Sequence, residues 1–84
     1  MPEIETAETI ANLRTVTAGA VLENRADLRS YPYRYLAIHS YSMMRGHGVR
    51  AVMAAAEVVE QWGWQMVNIM ETDKQIYAFM RRVA

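Results

Sequence analysis

Histidine, serine and glycine are the residues to weigh first for chemistry in this 84-residue chain, because it contains no cysteine to serve as nucleophile or thiolate ligand. His39 and His47 are its two imidazoles. Zinc bound by histidine and carboxylate needs ligands that converge on one point. The pair here belongs neither to an HExxH helix nor to a cluster, so no metal is expected. Ser40 directly follows His39, and neighbours on an extended strand project to opposite faces, which denies them a nucleophile–base pairing. Neither a G-x-S-x-G turn nor a G-x-x-x-x-G-K-[ST] loop occurs. Met1-Pro2 has the form of an N-terminal proline amine, yet the EIETAETI that follows does not open with the strand such enzymes use. Gly46-His47-Gly48, with Arg45 and Arg50 beside it, could offer backbone N–H groups at an electropositive helix start to an anion. A turn made by glycine is the simpler account of the same residues. No catalytic residue and no cofactor are expected.

Aromatic side chains carry the stronger signal. All eight lie at or after Tyr31. Tyr33, Tyr35, His39 and Tyr41 fall on one side of an alternating stretch, with Leu36 and Ile38 on the other. Tyr77 and Phe79 alternate in the same way near the C-terminus, and Trp64, Met66 and Met70 do so before them. An apolar patch of this size is seldom left in water. Its possible covers are the N-terminal segment, another subunit, a flat apolar ligand or stacked bases.

These residues need elements to position them. Residues 33–41 (YRYLAIHSY) read as a strand, broken by MMRGHG. Val49 to about Trp62 reads as an alanine-rich helix ended by Gly63 in the C′ position. WQMVNIME (64–71) and QIYAFMRR (75–82) read as a hairpin around Thr72 and Asp73. Pairing Glu71 with Lys74 sets Val67 against Ala78 and Met66 against Phe79, which gathers Trp64, Met66, Met70, Tyr77 and Phe79 on one face. The helix carries two apolar stripes, one through Val49, Val52, Met53, Ala56 and Val59, the other through Ala51, Ala54, Ala55, Val58 and Trp62. A helix on one sheet needs about one-third of its circumference apolar, so Val58 and Trp62 point to a second contact. Residues 1–30 read as an N-terminal arm, helical through IETAETIANLRT or extended through RTVTAGAVL, ordered by contact with something else.

The core resembles a family of small bacterial domains, domain-of-unknown-function family 4177. The matching pieces are Tyr33-Arg34-Tyr35-Leu36, Gly63-Trp64-Gln65-Met66-Val67, and Ile76-Tyr77-Ala78-Phe79-Met80-Arg81-Arg82. The resemblance covers residues 31–84 and implies a β-α-β-β architecture. It carries over no catalytic residues, because the family has no general assigned activity. The alanine-rich helix and Trp62 depart from its pattern.

Bulk properties bound the function. Nine basic and nine acidic residues cancel, although residues 1–24 carry a net −3 (four Glu, one Arg) and residues 25–50 a net +4 (five Arg, one Asp). Zero net charge makes nucleic acid an improbable partner for Arg45, Arg50, Arg81 and Arg82. The first 20 residues have no apolar h-region and no stretch approaches a membrane span, so a cytoplasmic protein without a membrane partner is expected. At 52% hydrophobic composition in 84 residues, the chain has more apolar surface than a small monomer readily hides. The expected fold is α+β: a three-stranded antiparallel-type sheet (residues 31–84) with one helix on a face, preceded by the arm (residues 1–30). The expected function is a non-enzymatic assembly or interaction module, a homo-oligomer or partner of another protein. Its contacts would come from Tyr33, Tyr35, His39, Tyr41, Val58, Trp62, Trp64, Met66, Tyr77 and Phe79. The alternative is a small apolar-ligand protein or enzyme accessory using the same sheet face.

Overall fold

The computed structural model describes residues 4–41, 47–72 and 75–83, without the side chains of Tyr41 and His47. The fold is α+β, with elements in the order α1 (Ala7–Leu13), β1 (Thr15–Thr17), α2 (Ala18–Leu22), β2 (Tyr35–Tyr41), α3 (His47–Glu60), β3 (Trp64–Glu71) and β4 (Gln75–Arg82). The sheet has four strands rather than three, in the order β1-β2-β4-β3, with β1 parallel to β2 and the other pairs antiparallel.

The fourth strand comes from the N-terminal segment, where the helical reading holds for Ala7–Leu13 and the extended reading only for Thr15–Thr17, because Ala18–Leu22 of that stretch is helical. Thr6 caps α1 by accepting the Thr9 N–H at 3.2 Å, and Arg14 ends it in the left-handed conformation, its N–H on the Ile10 carbonyl. The β-branched Thr15-Val16-Thr17 then pairs with Ala37, Ile38 and His39. Thr17 closes that strand and caps α2, accepting the Ala20 N–H at 3.2 Å. Glu5 fastens the arrangement: its carboxylate accepts the Thr17 N–H at 3.1 Å and the Thr17 hydroxyl at 2.6 Å, and its backbone bridges to Ala26. Ile10, Val16, Ala18, Ala20 and Val21 are all buried in the same core as Leu36, Ile38, Val52, Val59 and Met80. What covers residues 7–22 is the rest of this chain.

Helix α3 buries Val52, Ala55, Ala56 and Val59, an i, i+3, i+4, i+7 stripe, against β2, β3 and β4. Gln61, Trp62 and Gly63 donate their N–H groups to Val58, Val59 and Glu60, and Gly63 takes a φ of 95°, the left-handed residue that stops the helix. Helix α2 packs against α3. Part of the apolar excess around α3 is therefore met from within the chain: Val58 and Ala51 are partly buried against the core. Among the described residues no helix is long and apolar enough to cross a membrane.

The β3–β4 register differs from the expected one. Glu71 pairs with Ile76 rather than with Lys74, and the Thr72 N–H donates to the Gln75 carbonyl at 2.8 Å. The pairing continues through Asn68 with Phe79, then breaks at a bulge: Met66 pairs with Met80, the next residue along, and Val67 is left over. One extra residue exchanges the faces of everything before it. Trp64 and Met66 thus leave the aromatic face on which the unbroken register places them and join Ile76, Ala78 and Met80 on the helix side, where Trp64 is 3% exposed.

Candidate functional site

The helices occupy one side of the sheet, and the other side is open. Strand pairing assigns its residues: Thr15 and Thr17 from β1, Tyr35, Ala37 and His39 from β2, Tyr77, Phe79 and Arg81 from β4, and Asn68 and Met70 from β3. Val67 joins this side through the bulge, lining with Met70, Tyr77 and Phe79 an open hollow of about 690 Å³. Tyr35 and Val67 are each 58% exposed, Met70 45% and Phe79 37%. The middle of the face holds no charged side chain; Arg14 stands at its rim, and Arg81 beside it donates to the Gln65 side chain at 2.7 Å.

The rings of this face form a row. His39 and Tyr77 lie across β2 and β4 with centroids 6.0 Å apart and planes 29° apart, and Tyr77 and Phe79 follow along β4 at 6.1 Å and 12°. The Tyr77 hydroxyl is held by the Gln75 side chain, which fixes the middle ring. His39 Nδ1 is buried without a hydrogen-bond partner among the described residues. Ser40 lies on the opposite side of β2 from His39, as the strand period requires. No group of three His, Cys, Asp or Glu capable of holding a metal ion occurs among the described residues. The face offers contact area and ring stacking.

The other expected contact residues are distributed as follows. Tyr33 precedes β2, with the Arg14 guanidinium 3.4 Å from its ring centroid. Tyr41 pairs with Gln75 at the end of β2, and its side chain lies outside the described residues. Val58 is half-buried on α3, and Trp62, 44% exposed, stands at the end of that helix near Trp64. Of the anion-binding group, Arg45 and the His47 side chain lie outside the described residues, and Arg50 is exposed on α3. Arg81 and Arg82, two of the arginines singled out for nucleic acid, point to opposite sides of the sheet.

Three contributors escaped the sequence reading, and a fourth, Arg82, was singled out there for a different role. Val67 enters the open face only through the bulge, which no residue type announces. Arg14 reaches it from the residue that ends α1, and its φ of 60° has no signature in an arginine. Tyr31 is buried, with its hydroxyl donating to the Tyr35 carbonyl at 2.7 Å, and packs between Tyr33 (5.6 Å, edge-on) and Trp64 (5.8 Å). Arg82 closes this stack from β4, its guanidinium 4.9 Å from the Trp64 ring and donating to the Tyr31 carbonyl at 2.6 Å. A run of Tyr-Pro-Tyr before a strand was the available signal for Tyr31. Compared with family models, with curated proteins and with solved structures, the chain matches none of them.

Proposed function

We propose that this protein is a non-enzymatic association module that joins a second copy of itself through the open sheet face. The observation that carries the reading is the asymmetry of the sheet. One side packs against the chain's own helices, while Tyr35, Val67, Met70 and Phe79 stand exposed on the other. Burying such a face contributes roughly 25 cal/mol for each Å² of apolar surface removed from water. The charged side chains of this face, Arg14 and Arg81, stand toward its Tyr35 end, where Arg81 already donates to Gln65. The stretch through Met70 and Tyr77 can therefore be buried without desolvating an ion, which would otherwise cost several kcal/mol.

The β3 edge of the sheet supports a face-to-face contact over strand addition there. The bulge at Val67 interrupts β3, and the Asn68 side chain accepts the Ile69 N–H at 2.9 Å, taking up a donor that an added strand would need. Strands about 4.8 Å apart and rising about 3.3 Å per residue give a face on the order of 400 Å² in plan. That is small beside the roughly 800 Å² per partner of a standard interface, so association in the micromolar range is expected. Kinship of residues 31–84 with family 4177 belongs to the same proposal, supported by the β2-α3-β3-β4 order and the Gly63-Trp64 pair.

Sedimentation velocity over a micromolar concentration series tests the proposal. The native chain should shift from monomer to dimer, and Phe79→Glu or Tyr35→Glu, at exposed positions, should remain monomeric with unchanged far-ultraviolet circular dichroism. A native chain that stays monomeric throughout sinks it. An apolar ligand is the second reading, favoured by a hollow whose volume falls within the roughly 300–1,000 Å³ of small-molecule sites. The hollow is open rather than enclosed, which suits a partner surface better.

A further inference from the structure

On the helix side of the sheet, away from the association face, a second hollow of about 760 Å³ lies between the 24–29 loop and the start of β3. Trp62, Trp64 and Arg82 line one wall, and Arg25, Asp27 and Arg29 line the facing one. These two tryptophans are the only ones in the chain. We infer that this hollow binds an organic anion: a carboxylate or phosphate group, met by Arg82, on a flat apolar body that lies against Trp62.

The charge in the hollow is unevenly matched. Asp27 and Arg29 satisfy one another at 3.3 Å, which holds the Asp27 carboxyl below its ordinary range and keeps it ionised, and Arg25 pairs with Glu23 at 2.9 Å. Arg82 pairs with no described carboxylate. Its guanidinium is instead fixed by stacking on Trp64 and by one donated bond to the Tyr31 carbonyl. A guanidinium presents several N–H donors in a rigid fork suited to carboxylate and phosphate, and here most of the fork is unspent. The rings hold it in place before any ligand arrives, which lowers the entropy lost on binding. Trp62 is a large apolar ring left 44% exposed at the same hollow, with Leu28 behind the opposite wall. A cation with no counter-charge among the described residues, beside a partly bare indole, is complementary to an acid group on an aromatic body.

The two indoles report the site directly. In a ¹⁵N–¹H correlation spectrum the chain should show two indole N–H signals, and titration with 1-naphthoate or 1-naphthyl phosphate should move both saturably. The neutral 1-naphthamide should bind at least about tenfold more weakly, the factor expected for losing one charge-assisted hydrogen bond. Arg82→Gln should weaken the two acids by a similar factor while leaving the amide unchanged. Because Arg82 also braces Tyr31 and Trp64, a second variant, Trp62→Ala, tests the apolar half at an exposed position: it should weaken the acids and the amide alike. Absence of saturable shifts at millimolar acid, or equal binding of acid and amide, overturns the inference. Phe79→Glu, which addresses only the opposite side of the sheet, should leave the titration unchanged, so failure here and failure of self-association are separate results.

Discussion

Tyr31 and Trp64, far apart in sequence, pack with ring centroids 5.8 Å apart and planes tilted by 57°. The contact ties the loop before β2 to the head of β3, the starts of the two strands that flank α3. Both rings are buried, and Arg82 lies 6.0 Å from the first and 4.9 Å from the second. Tilted aromatic pairs contribute about 0.5–1.5 kcal/mol beyond area burial. A cation over a ring adds about 0.5–2 kcal/mol according to its desolvation. This corner therefore holds together three strand ends that no single element connects.

Alkaline pH should loosen that corner. Burial pushes the Tyr31 phenol above its ordinary value of about 10; neighbouring Arg14 and Arg82 oppose the shift and Tyr33 adds to it. A folded-state pKa above the unfolded one means that the native state retains the proton as pH rises past 10, while the unfolded chain releases it. Stability is then undiminished below about pH 10 and falls as pH climbs through the folded value. Urea unfolding midpoints measured between pH 9 and 11 should decline for the native chain. Tyr31→Phe should lose about 1 kcal/mol at neutral pH with its hydrogen bond, yet show a shallower alkaline decline. Equal slopes for the two proteins count against Tyr31 as the titrating group.

Residues 7–22 should unfold together with the rest of the chain. Ile10 is 1% exposed and Leu13, on the same short helix, is 70% exposed. Ile10→Ala should cost about 2–5 kcal/mol, the range for truncating a buried aliphatic side chain. Leu13→Ala should stay within about 0.5 kcal/mol. Denaturant titrations followed by circular dichroism distinguish this from a peripheral arm, for which both substitutions would be nearly silent.

The parts of the fold readable from sequence are those governed by local period and punctuation. β2 shows alternation, α3 shows alanine-rich helical spacing, and Gly63 marks the one position there that needs a positive φ. The segment before Tyr31 offers no such consistency. Its helix is seven residues long, its strand three and its second helix five, each too short for a period to repeat. These elements are held by tertiary contacts, above all Glu5 on Thr17 and Ile10 in the core, which sequence spacing does not display. The open face was half legible: Tyr35, His39, Tyr77 and Phe79 follow from alternation within β2 and β4, whereas Trp64 and Met66 were misassigned because one bulged residue inverts a strand.

That bulge allows a demanding test of the register. Met66 pairs with Met80 and Asn68 with Phe79, and those partners are adjacent on β4. Deleting Val67 therefore leaves every observed pair intact and joins the two halves of β3 into one continuous ladder. The deletion variant should fold with Trp64 still buried, unfold cooperatively, and differ in stability by only about 1 kcal/mol. An unbroken β3 also becomes a straighter edge, free to pair with another chain, so light scattering on warming should rise earlier than for the native protein. In a Trp62→Phe background, Trp64 fluorescence should keep the blue emission of a buried indole. In the continuous register, where Val67 opposes Ala78, Trp64 would stand on the open side of the native sheet and cross to the buried side on deletion. A red emission from the native chain that turns blue in the deletion variant would therefore displace the bulged pairing on which the open face rests.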